Sequence, residues 1–353
     1  MVDEKIKAVK TILIRCPNWV GDIVMATPVF DCVRENFPGA KIVACVRKYA
    51  RGIIEDGPWF DGIIECNDKD IYGFFHTVKE IRRVKPDMAI LLPNSIRSFL
   101  TAKLGGGKLI YGYKRNLRKY FMSGGPEPIR TGEGIKPMPM VDYYLEICRD
   151  LGLTISENLK PHLFISSKLQ DRGNRILAGY GISAKDNVIG LNPGASFGSS
   201  KCWPPENFAT LAEIIENEIQ CKIILFAGPG EDEIAKAIVE KSSAEIIDTS
   251  PDNIDLAHLK PLINRCDLLV TNDTGPRHYA VAFDIPAVVL MGPTNPLYTA
   301  ANLKGTIVIR EEMDCSPCHK KVCPTDHRCM KDITPEKVFE RVKELLGEFN
   351  SDI

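Results

Sequence analysis

Thr271-Asn272-Asp273-Thr274-Gly275-Pro276-Arg277-His278 follows the apolar run Leu268-Leu269-Val270 and precedes Tyr279-Ala280-Val281-Ala282-Phe283. An apolar run, a polar cluster and a small-residue run in that order predict a buried parallel strand that passes directly into a helix. An acid, a hydroxyl, a glycine and a histidine then stand at the carboxyl end of one strand, the edge at which open α/β sheets bind ligands. Amides at the helix start offer partial positive charge to a phosphate or to a sugar diol. The bland alternative has Asp273 or Thr274 capping the helix while His278 packs on its first turn.

Outward from this stretch, strand-like and helix-like segments alternate along the whole chain. That pattern predicts an α/β protein with doubly wound parallel sheets, not a sandwich or a bundle. Strands are expected at 11–14, 41–46, 88–92 and 109–111, and a second series at 188–192, 222–226, 245–248, 268–270 and 287–290. Pro161 and the polar Ser166-Ser167-Lys168 interrupt the pattern between the two series. The expected organisation is therefore an N-terminal domain over 1–167, a second domain over 168–333 and a closing helix within 334–353 that packs across a domain face. The Gly- and Pro-rich stretch 123–140 reads as a surface excursion, or as a loop that orders on binding.

The 353 residues suffice for two cores, and a formal net charge of −1 points to no nucleic-acid partner. No segment approaches the roughly 20 uninterrupted apolar residues that span a bilayer, and no basic start leads into an apolar run, so a chain that is soluble and not exported is expected. Twelve cysteines are dispersed among apolar segments except for one cluster, and the dispersed ones read as core thiols.

Three further strand ends carry chemistry. In Ile14-Arg15-Cys16-Pro17-Asn18-Trp19-Val20-Gly21-Asp22, followed by a helix over 23–34, Gly21 lets a ligand approach closely and Asp22 is either a cap or a base. Trp19 offers a flat face to a sugar ring, or packs in the core. In Asn192-Pro193-Gly194-Ala195-Ser196-Phe197-Gly198-Ser199-Ser200-Lys201-Cys202-Trp203-Pro204, amides and the hydroxyls of Ser196, Ser199 and Ser200 suit a diphosphate. Lys201 there would neutralise the charge that grows as the phosphate leaves. It is neither the Walker nor the dinucleotide glycine pattern. After Gly228-Pro229-Gly230, Glu231 or Glu233 stands where a ribose would lie, although acids also favour a helix start on their own.

Together, Gly21-Asp22, Asn192-Pro193-Gly194-Ala195 with Lys201-Cys202-Trp203-Pro204, and Thr271-Asn272-Asp273-Thr274-Gly275 with His278 occur in an order and spacing that resembles the family 9 glycosyltransferases, the ADP-heptose:lipopolysaccharide heptosyltransferases. The resemblance runs nearly the length of the chain and is greatest to the members that add the second heptose. It implies a GT-B fold, two Rossmann-like domains facing across a cleft with the acceptor on the N-terminal side. It implies inverting, metal-independent transfer from ADP-L-glycero-D-manno-heptose to the lipopolysaccharide inner core, with no cofactor. By position, Asp22 is the expected base and Lys201 the diphosphate partner. Donor contacts are expected from Asn192, Gly194, Asp273, Thr274, Gly275 and His278. First- and third-acting members, or another ADP-sugar transferase, remain alternatives. The chain departs from the pattern at Cys202, where arginine is frequent, and at Pro276-Arg277.

An acidic glycolipid acceptor suits the basic residues of the first domain, with Arg47, Arg97, Arg115 and Arg118 as candidate contacts beside Trp19. The same residues would favour the anionic cytoplasmic face of the inner membrane, so a cytoplasmic, peripheral enzyme is expected; a solvated helix face is the alternative for each. Cys315, Cys318, Cys323 and Cys329 have the look of a structural zinc site, with free thiols or a disulfide as the other readings and no catalytic role for a metal. Two competing functions are a sugar-nucleotide 2-epimerase, which shares the two-domain plan, and a zinc-dependent interaction protein, which would leave Asp22, Lys201 and Asp273 unexplained.

Overall fold

The computed structural model describes residues 4–132 and 134–351. Residues 352 and 353, placed in the closing segment on sequence grounds, lie outside the described residues. The chain separates into two compact units. One runs to Phe164 and takes in Leu297–Ala301; the other is Ile165–Pro296 with the chain from Asn302 onward.

In the first unit, α1 (Glu4–Lys7) leads into β1 (Thr11–Arg15), α2 (Val20–Met25), α3 (Thr27–Asn36), β2 (Lys41–Arg47), α4 (Arg51–Ile54), β3 (Gly62–Cys66), α5 (Ile71–Val84), β4 (Met88–Leu91), α6 (Ile96–Leu104) and β5 (Leu109–Gly112). A 3-10 turn over Asn116–Tyr120 follows, then a small antiparallel hairpin, β6 (Arg130–Thr131) and β7 (Gly134–Ile135), and α7 (Met140–Asp150). The parallel sheet has the order β3-β2-β1-β4-β5. Leu13, Val43, Ala89 and Leu91 from its strands join Ile81 and Phe99 of the helices in one core.

The second unit is α8 (Ser167–Gly179), β8 (Val188–Asn192), α9 (Pro205–Glu218), β9 (Lys222–Leu225), α10 (Asp232–Lys241), β10 (Ile246–Asp248), α11 (Leu259–Asn264), β11 (Leu268–Asn272), α12 (Gly275–Ala282), β12 (Ala287–Leu290), β13 (Thr306–Ile309), α13 (Arg328–Lys331) and α14 (Pro335–Ser351). Its parallel sheet runs β10-β9-β8-β11-β12-β13, the same winding with one strand added. Val338, Phe339, Val342 and Leu345 of α14 pack with Phe208, Leu211 and Ile215 of α9 over this sheet.

The two sheets share a local device. Asp87, just before β4, accepts hydrogen bonds from the amides of Lys10 and Thr11 at the start of β1. Asp267, just before β11, accepts one from Val188 at the start of β8 (2.7 Å). Each carboxylate satisfies amides that the ladder leaves open and pins the register of two central strands.

Local chemistry explains where the expected outline shifts. The single helix expected over 23–34 is two helices that meet at Ala26, because Pro28 in the first turn of α3 has no N–H for a continuous ladder. Ser166 is no interruption; its hydroxyl accepts from Leu169 N and caps α8. Two strands of the parallel sheets were not anticipated, the edge strands β3 and β13, both with mostly half-buried residues, and the short hairpin of β6 and β7 lies within the stretch read as a loop.

Candidate functional site

The polar cluster 271–278 lies at the carboxyl end of the second sheet. Thr271 and Asn272 end β11, and Asp273 and Thr274 lead into α12. Asp273 is neither exposed nor a cap. Its Oδ1 accepts from Arg277 Nη1 at 2.7 Å, and its Oδ2 from Lys201 Nζ at 2.8 Å and Thr294 Oγ1 at 2.7 Å. Lys201 Nζ also donates to the Asp273 carbonyl (2.7 Å), and it lies 5.3 Å from the centre of the Phe197 ring. Burial alone would push the Asp273 carboxyl up; Arg277 and Lys201 overcome it and hold the group well below the usual carboxylate range. Two cations, Lys201 and Arg277, thus meet at one buried carboxylate.

His278, buried beside this cluster, is held at about 3 by burial and by the positive charge of Arg277. It is therefore neutral, not a cation, at neutral pH.

Asn192 ends β8 and donates from Nδ2 to Thr271 Oγ1 (3.0 Å) and Thr274 Oγ1 (3.1 Å). That tie sets the hydroxyl of Thr274 and leaves α12 with no side-chain cap. Asn272 Nδ2 donates to Pro193 O, and Trp203 N donates to Asn272 Oδ1. The loop after β8 is thus laced to the loop after β11, which is how Lys201 reaches Asp273.

The two acids after β9 separate clearly. Glu233 is exposed on α10. Glu231 turns back, accepting from Gly228 N at 2.8 Å and from the Ala195 amide, and burial pushes its carboxyl up against these two bonds. Gly194 is required there by close approach, since a Cβ would stand 1.9 Å from Glu231 Oε2. The same burial and the nearby Glu231 push the Cys202 thiol to about 11.

The serines of the loop after β8 divide. Ser196 and Ser199 are exposed, open to a ligand. Ser200, expected as a donor contact, is buried; its hydroxyl donates to Lys320 O and its amide to Lys321 O (3.1 Å), which makes it a strut of the loop. His327 Nε2 pairs with the Ser200 carbonyl at 2.8 Å, and Gly198, at φ +154, has Lys321 main chain where a Cβ would be. The cysteine-rich segment therefore buttresses this loop. All twelve cysteines are free thiols. Cys315 is exposed, Cys329 is buried, and among the described residues no three His, Cys, Asp or Glu side chains stand together as metal ligands must.

In the first unit, Asp22 sits in the first turn of α2, whose N-cap is the exposed Trp19 without a side-chain capping bond. The phenol of buried Tyr144 on α7 donates to the Asp22 carboxylate. Arg47, at the end of β2, pairs with the buried Asp68 (2.6 Å) and donates from Nε to Asn18 Oδ1 (3.3 Å); Arg15 donates to the same Asn18 oxygen at 3.0 Å. Arg97 donates to the carbonyls of Asp68 and Lys69 from an exposed position, and Arg115 is half-buried. Arg118 does not face solvent. Expected as an acceptor contact, it instead donates from its guanidinium to the carbonyls of Pro93 (2.7 Å) and Tyr113 (2.8 Å) and to Asn94 Oδ1 (3.1 Å), which makes it a strut of the loop.

Thr294, Tyr144 and Asp68 were missed from the sequence. Thr294 follows β12 at the same sheet edge and strand-end logic would have found it; Tyr144 had no signal, being one of two tyrosines on an ordinary amphipathic helix.

Residues 74–328 match the model of glycosyltransferase family 9 (heptosyltransferase). Lipooligosaccharide heptosyltransferase 2 of Campylobacter jejuni is 28% identical over 339 residues, covering 95% of this chain and 98% of that protein. Lipopolysaccharide heptosyltransferase 2 of Escherichia coli K12 is 26% identical over 351 residues, covering 95% and 98%. Among solved structures, E. coli ADP-heptose lipopolysaccharide heptosyltransferase II superposes with a TM-score of 0.80 at 25% identity, covering 96% of this chain and 99% of that one. A family 9 glycosyltransferase from Veillonella parvula superposes with a TM-score of 0.83 at 25% identity, covering 96% and 97%.

Proposed function

Since the chain belongs to glycosyltransferase family 9, the heptosyltransferases, and has their GT-B fold, we propose that it transfers heptose from ADP-L-glycero-D-manno-heptose to the inner core of lipopolysaccharide, adding the second heptose. Family membership sets aside the epimerase and the zinc-dependent interaction protein. The observation that supports the reading is the Lys201-Asp273-Arg277 cluster, two cations held on one carboxylate at the carboxyl edge of the second sheet, chemistry suited to a diphosphate leaving group. The second-heptose assignment is supported by the names of the relatives it resembles along nearly their full length.

In this reading the second unit holds the donor. Lys201 and the amides at the start of α12 take the diphosphate, Thr274 and neutral His278 offer hydrogen bonds, and Glu231 accepts from a ribose hydroxyl across Gly194. Asp22 of the first unit removes the proton from the acceptor hydroxyl as ADP leaves from the opposite face of an oxocarbenium-like sugar, with inversion in one displacement. The positive charge of Lys201 and Arg277 serves where other transferases use a divalent cation, so neither metal nor cofactor is required. Trp19, Arg47, Arg97 and Arg115 favour an acidic glycolipid, and the enzyme works at the cytoplasmic face of the inner membrane.

Mass spectrometry of acceptor after incubation with ADP-heptose tests this, with a lipid A core bearing one heptose beside one bearing none. The expected result is one added heptose on the first, with the rate lowered about a thousand-fold in Asp22→Ala. Addition only to the acceptor without heptose would reassign the step, and no addition to either would overturn the reading.

A further inference from the structure

The starts of α5, α6 and the 3-10 turn over Asn116–Tyr120 are bound to one another. Arg97 at the start of α6 donates to the carbonyls of Asp68 and Lys69 that precede α5, and Arg118 donates to the carbonyl of Pro93 that precedes α6. Large apolar side chains stand out from this joined edge into solvent. Ile71, Tyr72 and Phe75 project from the first turns of α5, with Tyr72 86% exposed. Leu117, Tyr120 and Phe121 project from the 3-10 turn and its end, with Tyr120 71% exposed, and Ile96 and Leu100 lie between on α6.

A folded chain in water rarely leaves so many aromatic and aliphatic groups together and uncovered. The charges around them are mostly positive. Residues 94–104 and 114–121 contain no acid, while Lys69, Lys103 and Lys119 are exposed and Lys114 and Arg115 are half-buried. The one acid of residues 69–79, Asp70, accepts from Gly73 N (2.8 Å) as the cap of α5. Lys119 lies over the ring of Tyr120, 4.9 Å from its centre, pairing an ammonium with an amphipathic aromatic. Lysine is depleted at protein interfaces, whereas tyrosine and phenylalanine beside lysine suit the boundary between headgroups and acyl chains.

We propose that this edge of the first unit is the surface by which the protein docks on an anionic lipid bilayer, with the aromatic side chains entering the headgroup region and the lysines meeting lipid phosphates. The proposal deepens the reading of the protein as a glycolipid-modifying enzyme and rests on it for its biological sense, although docking itself requires no transfer.

The full chain is sedimented with vesicles of phosphatidylethanolamine and phosphatidylglycerol, roughly three to one, and with vesicles of phosphatidylcholine alone. Binding to the anionic vesicles is expected. It should fall about ten-fold in Tyr72→Ser/Phe75→Ser/Leu117→Ser and again in Lys114→Glu/Lys119→Glu, while the unfolding midpoint and the affinity for ADP stay at their original values. No binding to anionic vesicles overturns the proposal, as does a triple apolar variant that binds like the original chain. Self-association that is lost in the triple variant, without vesicle binding, would instead give the surface to a second copy. Vesicle binding without heptose transfer would sink only the functional reading, and transfer without vesicle binding only this one.

Discussion

The hydroxyl of Tyr144 on α7 donates to the carboxylate of Asp22 on α2. Burial, with the negative charge of Asp22 beside it, pushes the phenol well up, so Tyr144 remains a donor across the working pH range. A phenol that donates to an ionised carboxylate favours its ionisation.

Tyr144→Phe removes that bond with little change of shape. If Asp22 is the base, loss of this bond moves the acid limb of the kcat profile to higher pH. At low pH kcat should fall about ten-fold, less at high pH, with KM for the donor unchanged. An unshifted acid limb would remove Tyr144 from any positioning role.

Gly194→Ala drives a methyl group into Glu231. The Glu231 side chain must swing out and lose its bonds to Gly228 N and the Ala195 amide. Calorimetry should show ADP affinity weakened about ten-fold, and Glu231→Gln should weaken it less, since the amide still offers one acceptor. Unchanged affinity in Gly194→Ala would place the ribose elsewhere.

His278 makes stability depend on pH. Its folded value of about 3 lies below the ordinary 6.5, so the unfolded chain binds the proton first as pH falls. The stabilisation is complete above about 6.5 and is lost progressively down to about 3, at up to roughly 1.4 kcal/mol per pH unit. Asp273 adds the same sign of dependence only below the usual carboxylate range. Urea midpoints for His278→Gln should therefore decline less than those of the original chain between pH 6 and pH 4; parallel declines would contradict the assignment.

Lys201 and Arg277 both bond to the carboxylate of Asp273. Transfer in excess chelator is accordingly expected to keep its rate within about two-fold. Loss of activity that magnesium restores would show that the cluster does not replace a metal.

The sequence by itself determined the doubly wound α/β class, the central strands of both sheets and the strand ends at which Asp22, Asn192, Lys201, Glu231 and Asp273 lie. Those features are local: a buried parallel strand writes itself as an apolar run, and the polar residues that follow it have nowhere to stand but the sheet edge. Edge strand β3 escaped because Glu65 breaks its short apolar run, whereas β13 carries Ile307-Val308-Ile309 and was legible in the sequence. Tertiary structure alone decided which polar groups meet. Nothing in the spacing says that Lys201 and Arg277 share Asp273, that Glu231 and not Glu233 turns back onto Gly194, that Ser200 and Arg118 are struts, or that Tyr144 reaches Asp22. Each of these pairings joins separate elements across a folded sheet edge, or selects between neighbours by burial, and period and propensity carry no information on either.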